Sequence, residues 1–216
     1  MPRSTGEDLG SIEPVLGVEE GGLHSAEALL LARYFMYTQV YFHPVRRIYD
    51  IHLKDFLVEW LPEGKFPVDI ERLLALTDNE VLAGILAAAR IVDSKGHNPA
   101  HRIIKREHYR KLYEKNPEDI RINPEAGRLI FGALQFTYGN DAVRRDSYTA
   151  KNSVVEFPVL RSDGRIYSSY ELSETIQRLP IASFDYIFIR PDLISVAAEW
   201  LKKNRNEIIK VTPLED

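Results

Sequence analysis

The stretch Leu29-Leu30-Leu31-Ala32-Arg33-Tyr34-Phe35-Met36-Tyr37-Thr38-Gln39-Val40-Tyr41-Phe42-His43-Pro44-Val45-Arg46-Arg47 decides how this chain is read. No glycine or proline interrupts Ser25 to Phe42, and the run is rich in Ala, Leu and long aromatics, so it reads as a helix. Its largely apolar circumference predicts burial on several sides. Three tyrosines, a histidine and three arginines within the stretch exceed what a plain core helix needs. Pro44 lacks a backbone donor and crowds the carbonyl of Val40, so the helix should kink or pause there and resume toward Trp60. In that second half Val45, Ile48, Ile51 or His52, Phe56 and Trp60 recur at helical spacing, Lys54, Asp55 and Glu59 mark a wetter face, and Pro62-Glu63-Gly64 ends the run.

Further along, Asp69 is placed to cap a short helix over Ile70 to Ala75. Thr77-Asp78-Asn79-Glu80 has the side chains of a capping box for a helix from Glu80 to Ile91, a combination worth about 1 kcal/mol. His97 and His101 share the i, i+4 spacing of helix-borne metal ligands, but Pro99 between them predicts a loop, and no nearby carboxylate completes a site. Pro124 and Gly139 bracket a helix ending at Tyr138. From Ser147 the pattern changes. Val154 to Leu160, the turn Ser162-Asp163-Gly164-Arg165, and Ile166-Tyr167 read as a hairpin. A short helix over Tyr170 to Gln177 precedes the β-rich run Phe184 to Ile189, and Pro191 opens a last amphipathic helix through Trp200 toward Asn206. The plan is α+β: a leader over residues 1–20 that reads as disordered, a helical part over 21–145, and a small mixed α/β lobe over 146–216.

Composition narrows the function classes. The 216 residues are 44% hydrophobic, enough for a substantial core, and the net charge of -4 gives no global attraction to phosphate polymers. Any nucleotide or nucleic-acid site must then come from a local cluster of Lys and Arg. Zero cysteines exclude a disulfide framework and a thiolate metal site, and fit a reducing, cytoplasmic setting. No apolar run approaches the length of a membrane span, so no membrane partner is expected. Neither a glycine-rich phosphate loop nor a nucleophile elbow is present.

Taken in order, Leu29 to Arg47, Leu76-Thr77-Asp78-Asn79-Glu80, Ile104-Lys105-Arg106-Glu107-His108-Tyr109 and Phe136-Thr137-Tyr138-Gly139 resemble the C-terminal half of HD-domain deoxynucleoside triphosphate triphosphohydrolases. The likeness runs from about Gly17 to the C-terminus. Catalysis in that family rests on a histidine, a His-Asp pair and a later aspartate that hold a metal. None of the six histidines here is followed by aspartate. The resemblance therefore implies a chain that holds no metal or other cofactor itself, and activity that requires an HD-bearing partner chain to carry the divalent ion. It implies homo-oligomers as well.

Through the same resemblance, Arg33, Tyr37, Gln39, Tyr41, His43 and Arg47 become candidate nucleotide contacts. Arg33, Tyr37 and Tyr41 stand at i, i+4 and i+8, so one helix face would offer a phosphate-binding guanidinium beside two phenols able to stack on sugar or base. Pro44 departs from the family, which offers a lysine there. The competing reading is a packed ridge of Tyr34, Tyr37 and Tyr41. A second constellation, His101 to Tyr113, interleaves basic and aromatic residues. Arg102, Lys105, Arg106, Arg110 and Lys111 are candidates for a regulatory nucleotide, with Glu114 standing where the family offers a lysine. The alternatives are a solvated face, or a non-catalytic module that binds single-stranded nucleic acid or serves only oligomerisation.

Overall fold

The computed structural model describes residues 2–4, 12–149 and 156–210. They form an α+β chain with a mostly helical first half and small sheets. Residues 1–41 and 148–183 make one compact unit, and residues 42–147 and 184–216 the other. This division differs from the sequence reading, because strands late in the chain return to pair with elements of the first half.

In the first unit, β1 (Pro2–Ser4) pairs antiparallel with β2 (Ile12–Pro14) inside the segment expected to be a disordered leader. β3 (Val18–Glu19) runs parallel to β6 (Pro158–Leu160), which pairs antiparallel with β7 (Ile166–Ser168). The expected hairpin is therefore present, closed by Gly164 at φ 79° and the Arg161 N–H donated to Arg165; its leading residues Val154 and Val155 lie outside the described residues. The helix α1 (Leu23–Met36) sets Leu23 into a small core with Val159 and Ile176, flanked by Leu30 and Phe157. The helix predicted over Tyr170 to Gln177 is two short ones, α8 (Ser169–Leu172) and α9 (Glu174–Gln177). Ser173 breaks them apart: its hydroxyl caps the Ile176 N–H and donates to Glu27 at 2.5 Å.

The predicted burial of α1 on several sides is not what the fold delivers. Leu23 is its one buried residue, while Leu29 is 70% and Phe35 56% exposed. The α1 ladder widens into a π turn over Tyr37–Tyr41, with the Thr38 hydroxyl donating to the Tyr34 carbonyl. The pause expected at Pro44 is present, and its cause is specific: Pro44 is the first residue of a new helix, where a missing N–H costs nothing.

The second unit begins with that helix, α2 (Pro44–Trp60). Its buried Ile48, His52 and Phe56 follow the predicted stripe, and Phe56 and Trp60 join Ile85, Ala88 and Ala100 in one core. The short α3 (Ile70–Ala75) is capped by Asp69, which accepts from the Arg72 N–H at 3.0 Å. In α4 (Asp78–Ala88) the Thr77 N–H donates to the Glu80 carboxylate at 3.2 Å, the reach-back half of the predicted box. Against expectation, His97 to Lys105 is helical (α5). Pro99 is the third residue of its first turn, where backbone N–H groups lack intrahelical partners anyway, so the ring is tolerated.

Three further elements lie outside the sequence expectations: β4 (Arg110–Glu114), α6 (Pro117–Ile122) and β5 (Val143–Thr149). β8 (Ser183–Ile189) runs between β4 and β5 as the middle strand of a sheet. On it lie α7 (Ala126–Tyr138) and α10 (Ile194–Lys210), with Ile130, Leu134, Ile187, Ile189, Ala197 and Leu201 at the heart of the core. Buried Asp119 ties this core together, accepting from the Tyr113 hydroxyl at 2.8 Å, the Asn116 amide at 3.0 Å and the Arg205 guanidinium at 3.0 Å. Among the described residues no helix is long and apolar enough to cross a membrane.

One glycine shows how closely α7 approaches the sheet. A Cβ on Gly127 would collide with the Asp185 carboxylate, which cannot swing away because Arg145 grips both its oxygens at 2.8 Å. A Cβ on Gly132 of the same helix meets open space. Gly127→Ala should therefore destabilise the protein by about 1–3 kcal/mol, whereas Gly132→Ala should stabilise it by about 0.5–1 kcal/mol. Urea unfolding of the two variants checks both signs.

Candidate functional site

The six candidate contacts of the opening stretch divide between the two units. Arg33, Tyr37, Gln39 and Tyr41 belong to the first, His43 and Arg47 to the second. In the first unit the guanidinium of Arg33 lies 5.6 Å from the Tyr37 ring centre, and the Tyr37 and Tyr41 rings are 5.5 Å apart. The three form a ladder along the end of α1 and its π turn. Tyr34 packs edge-on against Phe35. Arg33 has no carboxylate partner among the described residues, and it lines a cavity of about 690 Å³ with Leu29 and Leu30 of α1, Val18, Phe157 and Tyr167. A cation beside aromatic and aliphatic walls suits a ligand with an anionic group and a flat or apolar body. Gln39 is exposed.

In the second unit, His43 caps α2, its Nδ1 accepting from the Val45 N–H at 3.3 Å. In the neutral ring this leaves the proton on Nε2, so His43 can present a donor. Arg47 is held by Asp146 through Nε at 2.6 Å and by Asp50 at 3.3 Å, and it lies over the Phe184 ring. The Asp146 hydrogen bond raises the Arg47 pKa further. A phosphate at Arg47 would have to compete with two carboxylates already in place.

The basic stretch does not converge on one point. Arg102, on α5, stacks over the Tyr109 ring at 5.0 Å and has no carboxylate partner among the described residues. Arg110 donates to the Nε2 of His108 at 3.1 Å. Lys111 is bound to Glu114 at 2.5 Å and lies over Tyr186. Neighbours in a strand point to opposite faces, so Arg110 and Lys111 cannot serve one ligand together without distortion. Lys105 and Arg106 are exposed at the helix end, Arg106 in a left-handed conformation at φ 58°.

Two residues that sequence reasoning passed over complete this cluster. Arg144 lies 5.9 Å from the Tyr109 ring centre, and the Tyr109 hydroxyl donates to the Asp141 carbonyl at 2.6 Å. Fully buried His52 accepts the Tyr109 N–H on Nε2 at 3.3 Å, while its Nδ1 has no hydrogen-bond partner. Burial, and then the positive charge of Arg102, Arg144 and His108, lowers its pKa to about 4. Burial and Arg110 also lower that of His108. Both shifts favour the neutral imidazoles, and the lowered basicity of His52 makes it a poor proton acceptor. No local spacing in the sequence links His52, Arg102, Tyr109 and Arg144; the tertiary packing of α2, α5, the residues leading into β4, and β5 does.

Among the described residues no group of three or more His, Asp or Glu side chains is placed to hold a metal. His97 and His101 do come together on α5, their rings 5.6 Å apart, but His97 Nδ1 is bound to the Ala88 carbonyl at 2.9 Å. The donor set of a metal-dependent hydrolase is not met by these side chains.

Comparison with known proteins places the chain. The profile of a family described as HD associated region matches residues 8–124. A hypothetical protein from Aquifex aeolicus has a similar structure, with 29% identity and a TM-score of 0.69 over 86% of this chain and 47% of that one. A phosphohydrolase from Bacteroides thetaiotaomicron VPI-5482 shares the fold at 20% identity, with a TM-score of 0.56 over 81% of this chain and 52% of its own. The chain thus spans about half the length of these proteins. No curated protein matches it.

The buried cluster gives a pH dependence with a definite sign. The folded-state pKa of His52 lies below its ordinary 6.5, so its neutral form contributes stability in full above about pH 6.5 and loses it as pH falls toward 4. The full difference corresponds to about 3 kcal/mol, of which about 2 kcal/mol is lost by pH 5. Urea unfolding at pH 7.5 and pH 5 should show this loss in the wild-type chain. It should be much smaller in His52→Gln, which keeps an acceptor for the Tyr109 N–H but cannot titrate.

Proposed function

The chain belongs to the family described as HD associated region, and from that premise we propose that it contributes to the nucleotide pocket of an HD-family deoxynucleoside triphosphate triphosphohydrolase whose metal-binding residues lie outside this sequence. The observation that carries this reading is the ladder of Arg33, Tyr37 and Tyr41, whose Arg33 lines a largely apolar cavity. Arg33 offers a planar, permanently charged fork to a phosphate. Tyr37 and Tyr41 offer ring faces to sugar or base and limit the room at the 2' position. Gln39, exposed in the same unit, is a secondary contact. The part of the reaction proposed for these residues is binding and orientation, and activation of water belongs to the metal-bearing residues outside this sequence.

On the same reading, Arg102, with the exposed Lys105 and Arg106 of the same helix end, receives a regulatory nucleotide that promotes homo-oligomers. Tyr109 under Arg102 supports this, since it holds the guanidinium on a ring face and leaves its edge to a phosphate.

Two measurements test the proposal. The purified chain, given dGTP with Mg²⁺ or Mn²⁺, should bind the nucleotide yet release no triphosphate above the buffer blank; turnover by the chain alone would refute the division of labour. Arg33→Glu should weaken dGTP binding by about tenfold or more, since it replaces a charge-assisted contact with a repulsive one, while Arg178→Glu, at the exposed position just after α9, should leave it unchanged. If instead single-stranded DNA binds more tightly than dGTP, with steep salt dependence that Arg106→Glu and Lys111→Glu abolish, the chain is a nucleic-acid module.

A further inference from the structure

The cavity that Arg33 lines, about 690 Å³, lies wholly within the first unit and falls in the size range of small-molecule sites, roughly 300–1,000 Å³. One wall is α1, which lends it Ala26, Leu29, Leu30 and Arg33. These stand at i, i+3, i+4 and i+7, a single helix stripe about 10 Å long. The other wall comes from the three-stranded sheet, through Val18 of β3, Pro158 of β6 and Ile166 of β7. Leu30 and Phe157 line the cavity and also flank the small core of Leu23, Val159 and Ile176, so the cavity continues outward from that core. Leu16 and Leu29 in the lining remain 92% and 70% exposed, apolar surface that an occupant would cover.

The polar side chains of the lining are few, and most are already engaged. The Ser168 hydroxyl donates to Glu156 at 2.6 Å and accepts the Tyr170 N–H at 3.1 Å. The Tyr167 ring carries the Arg161 guanidinium 5.4 Å from its centre. Arg33 is the one cation among the lining residues, and it is exposed, so an anionic group bound there keeps one side in water. A nucleobase in this space would bring several polar edge atoms to walls with few open partners, at about 1–3 kcal/mol for each left unmet. An aliphatic or aryl body brings none, and each buried CH₂ contributes about 0.8 kcal/mol. A guanidinium at the end of an apolar stripe matches a carboxylate, whose two oxygens take its planar fork. The Glu156 carboxylate in the same lining opposes ligands that carry further negative charge. We propose that this cavity binds a monocarboxylate with an aliphatic or aryl body, its carboxylate on Arg33 and its apolar part along Leu30, Leu29 and Ala26. The site does not depend on the nucleotide reading, which places sugar and base on the Tyr37 and Tyr41 rings, outside the cavity lining.

Isothermal titration calorimetry of the full chain with sodium dodecanoate, kept below its micellar range, tests the site. One dodecanoate should bind per chain. Arg33→Gln should weaken that binding by about tenfold or more, yet leave the weaker binding of uncharged dodecanol unchanged. Ala26→Phe, which fills the stripe at the end remote from Arg33, should weaken both ligands by about tenfold or more with unchanged far-UV circular dichroism. Arg178→Gln, exposed on the same unit, should bind dodecanoate as wild type does. Absence of saturable dodecanoate binding, or equal affinity in wild type and Arg33→Gln, overturns the proposal. If Ala26→Phe loses dGTP and keeps dodecanoate, the cavity belongs to the nucleotide and the proposal falls while the nucleotide reading stands. The nucleotide reading fails separately, on the absence of dGTP binding.

Discussion

The architecture turns on the missing N–H of Pro44. A helix as apolar as the run from Leu23 would continue through Phe42 into Val45 if every residue could donate to the fourth carbonyl behind it. Pro44 cannot, and the chain answers by widening its last turn into a π segment and restarting with Pro44 as the first residue of α2. Tyr41 and Phe42, the residues at this break, fall in different compact units. The same restart hands His43 the role of helix cap and fixes its tautomer. One imino ring thus separates the ladder of Arg33, Tyr37 and Tyr41 from the α2 stripe that builds the second core.

A related constraint governs which cations are available for a ligand. The chain has slightly more carboxylates than basic side chains, and the fold consumes many in pairs: Arg47 with Asp146, Arg144 with Asp55, Arg145 with Asp185 and Arg205 with Asp119. The last of these is a nearly fully buried carboxylate, where loss of a partner would leave a charge with little solvent to stabilise it. Arg33 and Arg102 stand apart from these pairs. Each rests on a tyrosine ring, which orients a guanidinium without neutralising it. That contrast, rather than the density of basic residues along the chain, separates binding candidates from structural cations. Lys111 illustrates it, since a residue that reads as part of a basic cluster is neutralised by Glu114 within its own strand.

Sequence patterns were most legible where a single segment carried its own instructions. The stripe of Ile48, His52 and Phe56, the Thr77 and Glu80 pair, the end of α7 at Gly139, and the apolar run of β8 all translate directly into structure. The strands β4 and β5 did not, because their sequences, Arg110 to Glu114 and Val143 to Thr149, are heavily charged or polar; they flank β8 and are stabilised by pairing with it rather than by their own apolar alternation. Asn116-Pro117 before two acids is a good helix start that local rules could have found, and Asn116 does accept the Asp119 N–H at 3.0 Å. Of the candidate site, the Arg33 ladder was visible as a spacing. The His52 cluster was not, since its members are brought together by the packing of helices remote in sequence.

Apolar exposure carries the remaining argument. Ile70 and Leu74 on α3 have the helical spacing of buried residues without the burial, and Leu29 and Phe35 on α1 are exposed as well. Their sequences read as core because natural helices seldom keep such stripes in water. In a chain that matches about half the length of its structural relatives, such stripes are where a complementary surface has the most to gain: each fully buried leucine or phenylalanine contributes about 1.5–3 kcal/mol when covered. In one unit an arginine without a carboxylate partner among the described residues, and in the other an apolar helix face turned to solvent, are groups whose interactions within the fold are incomplete.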